Sequence, residues 1–165
     1  MLRLSFTRVS NERHRFAYAR ADGSGESLDL ETRSFLVHDF LHIAVECEAR
    51  MTAGFLGQLA AGAHYADLSG PAAAQLMAAP PAKDQAERWL AEHIVGPLTP
   101  VALGRATPQA FLAGLADWSA AVGRPIPPWL DAGFVDRVLA RYRSLAGRWR
   151  ATPFGAVMDV QIEHL

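Results

Sequence analysis

The stretch VHDFLHIAVE, residues 37–46, sets His38, Asp39, His42 and Glu46 within about three helical turns. Two histidines four apart can aim ring nitrogens at a single ion from one face of a helix, as in the H-E-x-x-H helix of zinc proteases. Asp39 stands where that motif has its glutamate and is one methylene shorter. His38 and His42 are therefore the candidate metal ligands, with a divalent ion, zinc first, as the expected cofactor. Asp39 and Glu46 are the candidate catalytic carboxylates, acting as a base or as an orienter of a ligand.

Glu46 does not simply complete the ligand set. It lies about 12 Å along the helix axis from His38 at about 1.5 Å per residue. A third ligand must come from another segment: His64 or Asp67 in GAHYAD, or Glu92 or His93 in AEH. A competing account explains the same residues without chemistry. At about 100° per residue, Leu36, Phe40, Ile43, Ala44 and Cys47 form one apolar stripe, and the His-Asp-His-Glu set lies on the other side. On that account the set is the wet side of an amphipathic helix, with Glu46 and Arg50 as an i,i+4 ion pair.

The elements that must position these residues follow from periodicity. Leu2, Leu4 and Phe6 alternate with polar residues, as do His14, Phe16 and Tyr18, and Leu28 and Leu30 mark a third strand after the turn Asp22-Gly23-Ser24-Gly25. This three-stranded meander needs a cover for its apolar face. Thr32 or Ser34 is placed to cap a helix running to about Met51. Between Met51 and Ala82 only Asp67 is charged, which predicts a buried glycine-punctuated stretch with a short helix near residues 55–63, a loop and a second short helix. Pro80 and Pro81 precede a helix expected over 82–95, striped by Ala86, Trp89, Leu90 and Ile94. Thr107-Pro108 opens another with Phe111, Leu112, Leu115 and Trp118. A long helix over 131–150 carries Val135, Val138, Tyr142, Leu145 and Trp149, and GAVMDVQIEHL alternates as a final strand. The expectation is a single α+β domain over 1–165, a small mainly antiparallel sheet covered by about five helices.

Composition narrows the function classes. The net charge of −1 gives no field toward nucleic acid or anionic lipid. Cys47 is the only cysteine, which excludes an intrachain disulfide and any multi-cysteine zinc site. No run reaches the roughly 18–20 apolar residues of a membrane span, and the N-terminal MLRLSFTRVSNERHRF has arginines where a signal peptide is apolar. A cytoplasmic protein is expected. Arg137, Arg141 and Arg148 share a face of the long helix, best read as a solvated surface pairing with acids elsewhere. No G-x-S-x-G, Walker loop or dinucleotide fingerprint occurs. A homodimer through the sheet edge or the last helix is compatible with the sequence.

HDFLHIAVECEA followed by FLGQLAAG resembles an uncharacterised bacterial family with an H-D-x-x-H-x-x-x-E helix and an F-x-G-x-L-A-A-G segment. The likeness covers the N-terminal strands through about Gly62. It implies that His38, Asp39, His42 and Glu46 form a site and names no reaction. A weaker likeness, to ubiquinone-biosynthesis scaffold proteins with an H-D-x-x-H zinc motif, fails at its last ligand, where Gly54 replaces a glutamate. Two functions are expected: a small metal-binding protein acting as a hydrolase or lyase, with the 51–82 segment closing over the site, or a non-enzymatic interaction or regulatory protein without metal.

Overall fold

A computed structural model describes residues 1–71, 74, 75, 82 and 85–165, without the side chain of Ser34. Pro80 and Pro81 lie outside the described residues. The elements run β1 (Leu2–Arg8), β2 (Arg13–Arg20), β3 (Gly25–Glu31), α1 (Thr32–Ala49), α2 (Phe55–Ala60), α3 (Tyr65–Leu68), α4 (Ala86–Ala102), α5 (Pro108–Val122), α6 (Ala132–Ala151) and β4 (Val157–Ile162). This is the α+β architecture the alternation predicts, with the meander completed by the C-terminal strand in the order β3-β2-β1-β4, every pair antiparallel.

Register explains which sheet face is covered. Phe6 pairs with Phe16 on one side and Met158 on the other, and Leu4 with Tyr18 and Val160. Side chains alternate across a strand, so these rows form one continuous apolar face. α1 lies over it, with the Phe40 ring edge-on to Phe6 at 5.2 Å between centroids. α4 and α6 pack on α1 in turn. The helix is thereby enclosed, and every residue from Asp39 to Glu46 is buried. Except at His38, its polar stripe is not a wet surface. Glu46 is 0 % exposed and bonds to His42 rather than forming the expected i,i+4 pair with Arg50.

The helix ends also have local causes. At the start of α1 the Glu31 carboxylate accepts the Arg33 N–H at 3.0 Å, while the Thr32 hydroxyl faces His14 Nδ1 at 3.3 Å. At its end Met51 N–H reaches Glu46 C=O at 3.0 Å and Arg50 takes left-handed backbone, φ 53°. That is a Schellman stop with arginine where glycine is usual. Thr107 and Asp131 cap α5 and α6, bonding Ala110 N–H at 3.1 Å and Phe134 N–H at 2.7 Å.

α4 departs from expectation. It does not stop at Val95 but continues through Pro97 and Pro100 to Ala102. Each proline removes a backbone bond, yet Leu98 at 0 % and Val101 at 8 % exposure prolong the buried side, which outweighs that loss. The buried face is therefore Ala91, Ile94, Val95 and Leu98, and Ala86, assigned to the stripe from sequence, is exposed. On α6, Arg137 and Arg141 pair with Glu48 of α1, at 3.3 and 2.7 Å. Among the described residues no helix is long and apolar enough to cross a membrane.

Two outcomes follow for stability. Arg50→Gly removes the Cβ penalty of left-handed backbone and should stabilise the fold by about 0.5–1 kcal/mol; a urea midpoint that does not rise contradicts this. His14 is fully buried against Trp149, its Nε2 has no partner, and burial lowers its pKa to about 4 against the opposing pull of Glu31 and Asp29. The unfolded chain then binds a proton that the folded one refuses between pH 6.5 and about 4. Stability present above that window is lost as pH falls through it, by up to about 3 kcal/mol. His14→Phe should flatten this part of the pH–stability profile, and an unchanged slope would assign it to other groups.

Candidate metal centre

His38 and His42 stand one turn apart on α1, their ring centroids separated by 4.6 Å. α4 crosses beside them and contributes Glu92, 8 % exposed. Glu92 Oε2 lies 3.5 Å from His38 Nε2 and 3.6 Å from His42 Nε2, and ligand atoms from the three residues all fall within 4.8 Å of one another. These gaps are long for N–H···O hydrogen bonds, which cluster near 2.9 Å by general geometry, roughly. They are close to the ligand–ligand edge of a tetrahedral ion with bonds of about 2.1 Å, which is about 3.4 Å.

The environment of His42 aims it at this point. Its Nδ1–H donates to Glu46 Oε1 at 3.0 Å, and its buried Nε2 has no hydrogen-bond partner. A carboxylate on the far ring nitrogen sets tautomer and orientation in metal-binding histidines. Glu46 is itself fixed, because its Oε2 accepts the Leu56 N–H at 2.9 Å. Gly54 makes room: a Cβ there would stand 2.3 Å from Glu46 Oε2.

α4 is held in register by residues flanking Glu92. Glu87 accepts the N–H groups of Thr52 and Ala53 at 2.8 and 2.7 Å, and buried Arg88 donates to Leu68 C=O at 2.7 Å. Burial lowers the Arg88 pKa, and Glu92 partly opposes it. For Glu92, burial favours the neutral carboxyl, but His38 and His42 outweigh it and drive the pKa well below the usual carboxylate range. For His42, burial favours the neutral ring, but Glu46 and Glu92 together raise it to about 10. The two carboxylates thus favour positive charge at or beside the His42 ring.

Asp39 follows His38 directly. Its Oδ2 is buried without a partner, and burial pushes its pKa up to about 7 against the opposing pull of His42. A cavity of about 270 Å3 opens on the site, lined by His38, Asp39, Glu92, Phe55 and Tyr65 among others. His38, with its side chain 40 % exposed, forms part of this opening. The 51–82 segment contributes Phe55, Tyr65, Leu68, Ser69 and Gly70 to the wall.

Of the residues singled out in the sequence, the fold brings together His38, Asp39, His42 and Glu46. His64 pairs with Glu26, and Asp67 is exposed. His93 turns to Trp89 C=O, 2.9 Å away, and packs against the tilted rings of both Trp89 and Trp118. Glu92 alone of the proposed third ligands meets the histidines. Tyr65, Gly54 and Glu87 carried no sequence signal of their own. Only the adjacency of Tyr65 to His64 and the glycine punctuation marked their neighbourhood.

Comparison with protein-family models, curated proteins and solved structures finds no match to this chain. The chemistry of the site is left to carry the reading.

Gly54→Ala should force Glu46 off Leu56 N–H or His42 and destabilise the protein by about 2–4 kcal/mol. Gly96→Ala, where an added Cβ meets nothing within 4 Å, is the control and should be neutral or slightly stabilising. Equal urea midpoints for the two variants would contradict the close fit at Gly54.

Proposed function

We propose that this protein is a small metal-dependent hydrolase whose ion is held by His38, His42 and Glu92. The observation that carries the reading is His42: a buried ring with a carboxylate on Nδ1 and a bare Nε2 facing a second histidine and a buried carboxylate. Two imidazoles and one carboxylate form a ligand set used by catalytic zinc, with the fourth position left to water or substrate. The cavity beside His38 supplies that position.

A divalent ion there would lower the pKa of bound water and polarise the substrate. Asp39 lines the same cavity and takes the role of base. Asp39 would accept the proton of the attacking water as its oxygen adds to the electrophilic centre, and would return that proton to the departing group. Glu46 keeps His42 oriented and does not touch substrate. Hydrolysis is favoured over lyase chemistry because Asp39 lines the same cavity as His38 and Glu92, where a bound water would be the group to be activated.

Metal content of untagged protein tests this by elemental mass spectrometry. Wild type should carry about one equivalent of a divalent metal, zinc first. His38→Ala should lose it while remaining folded, since this ligand is the most exposed of the three. Glu46→Gln should keep the ligands and weaken metal affinity about 10–100-fold. Wild type that stays metal-free with excess zinc, manganese, iron or nickel would sink the proposal. The His42–Glu46–Glu92 group would then be a structural ion triad, and a non-enzymatic interaction protein would become the better reading.

A further inference from the structure

Tyr65 is 5 % exposed, and among the described residues its phenol oxygen has no hydrogen-bond partner, although the rest of the residue is firmly held. Its backbone N–H donates to Glu26 Oε2 at 3.0 Å, and the same oxygen accepts the Tyr18 hydroxyl at 2.6 Å. Arg20 fastens the preceding loop through Leu59 C=O and Ala63 C=O, at 2.6 and 2.7 Å. The ring packs against Phe55 and Phe16, with centroids 5.7 and 5.6 Å away. Its oxygen is not sealed in the core, so it is open to the cavity that the residue lines, where a ligand can take its hydrogen bond.

That cavity is the one shared by His38, Asp39 and Glu92. Resting on the metal reading above, we infer that Tyr65 donates a hydrogen bond to the acyl oxygen of a substrate held in this cavity, and that the substrate is a small uncharged amide or ester with an apolar acyl substituent. A donor aimed at an oxygen where charge develops is the usual complement to a metal in acyl transfer. Burial, with Asp39 and Glu92 nearby, drives the phenol pKa well above its ordinary value, so the group stays an O–H donor at neutral pH.

Size and lining choose the substrate class. The volume, about 270 Å3, is at or below the low end of small-molecule sites, roughly 300–1,000 Å3, which favours a compact molecule. Phe35, Phe55 and Leu68 form an apolar wall for the acyl substituent. Among the described lining residues there is no arginine or lysine, while two carboxylates face the space. A phosphate dianion would meet repulsion there with only the metal to offset it.

The test uses the full chain loaded with cobalt(II), whose visible absorption bands report changes at the metal. Benzohydroxamate and inorganic phosphate are titrated into wild type and Tyr65→Phe. The expected result is saturable band shifts with benzohydroxamate, weaker binding of phosphate, and about a tenfold loss of hydroxamate affinity in Tyr65→Phe with cobalt stoichiometry unchanged. Equal hydroxamate affinity in the variant, or phosphate binding more tightly than hydroxamate, overturns the inference and leaves the metal site standing. A Tyr65→Phe protein that is unfolded or binds no cobalt makes Tyr65 structural, which also overturns it. Wild type that takes up no cobalt removes the metal reading and this inference together.

Discussion

The Glu46 carboxylate is the constraint on which the rest of the site depends. A charge taken out of water is costly unless every lone pair finds a partner. Here one oxygen takes the His42 Nδ1–H and the other the Leu56 N–H. The first bond leaves Nε2 bare and aimed away from Glu46. The second fixes the start of α2 on α1 and requires a residue without Cβ at position 54. One side chain thus links the core helix, the turn that follows it and the direction of the His42 ring.

The other parts of the site are held by similar means. Glu87 ties α4 to the turn after α1, and Arg88 ties it to the end of α3, so Glu92 between them has little freedom relative to the histidines. Glu26 and Arg20 tie the approach to α3 to the sheet, which holds Tyr65 at the cavity. Sites built on packed elements and supported by further hydrogen bonds keep their geometry without the ligand. Such an arrangement has a stability cost where carboxylates and histidines fill positions a purely structural core would give to leucine or valine.

Periodicity made much of the fold legible. The alternation of Leu2, Leu4 and Phe6, of His14, Phe16 and Tyr18, and of Met158, Val160 and Ile162 predicted the sheet, and Thr107 and Asp131 stand at real helix starts. The histidine pair and both of its neighbouring acids were also visible, because their spacing is local to one helix. Burial on both sides of α1 was not visible. A helix wheel separates polar from apolar residues, but it cannot say that a second layer will cover the polar side.

Glu92 was harder to single out for a related reason. Ending α4 at Gly96-Pro97 pointed to Ala86, Trp89, Leu90 and Ile94 as its inner face. Only when Leu98 and Val101 are included does the buried face rotate toward Ala91 and Val95, bringing Arg88 and Glu92 inside. A charged pair four apart on the buried face would then have been the signal. Tyr65 gave no such signal, since an isolated tyrosine in a sparsely charged stretch reads as core until the fold makes it part of the cavity wall that includes His38.

The most direct measurement is a crystal structure of zinc-loaded protein with data collected on both sides of the zinc absorption edge. The account predicts one strong anomalous peak about 2.0–2.2 Å from His38 Nε2, His42 Nε2 and a Glu92 carboxylate oxygen, with the Glu46 bond to His42 Nδ1 intact. No peak at that position, with His42 Nε2 instead hydrogen-bonded to Glu92, would contradict it and leave the group as a buried ion triad.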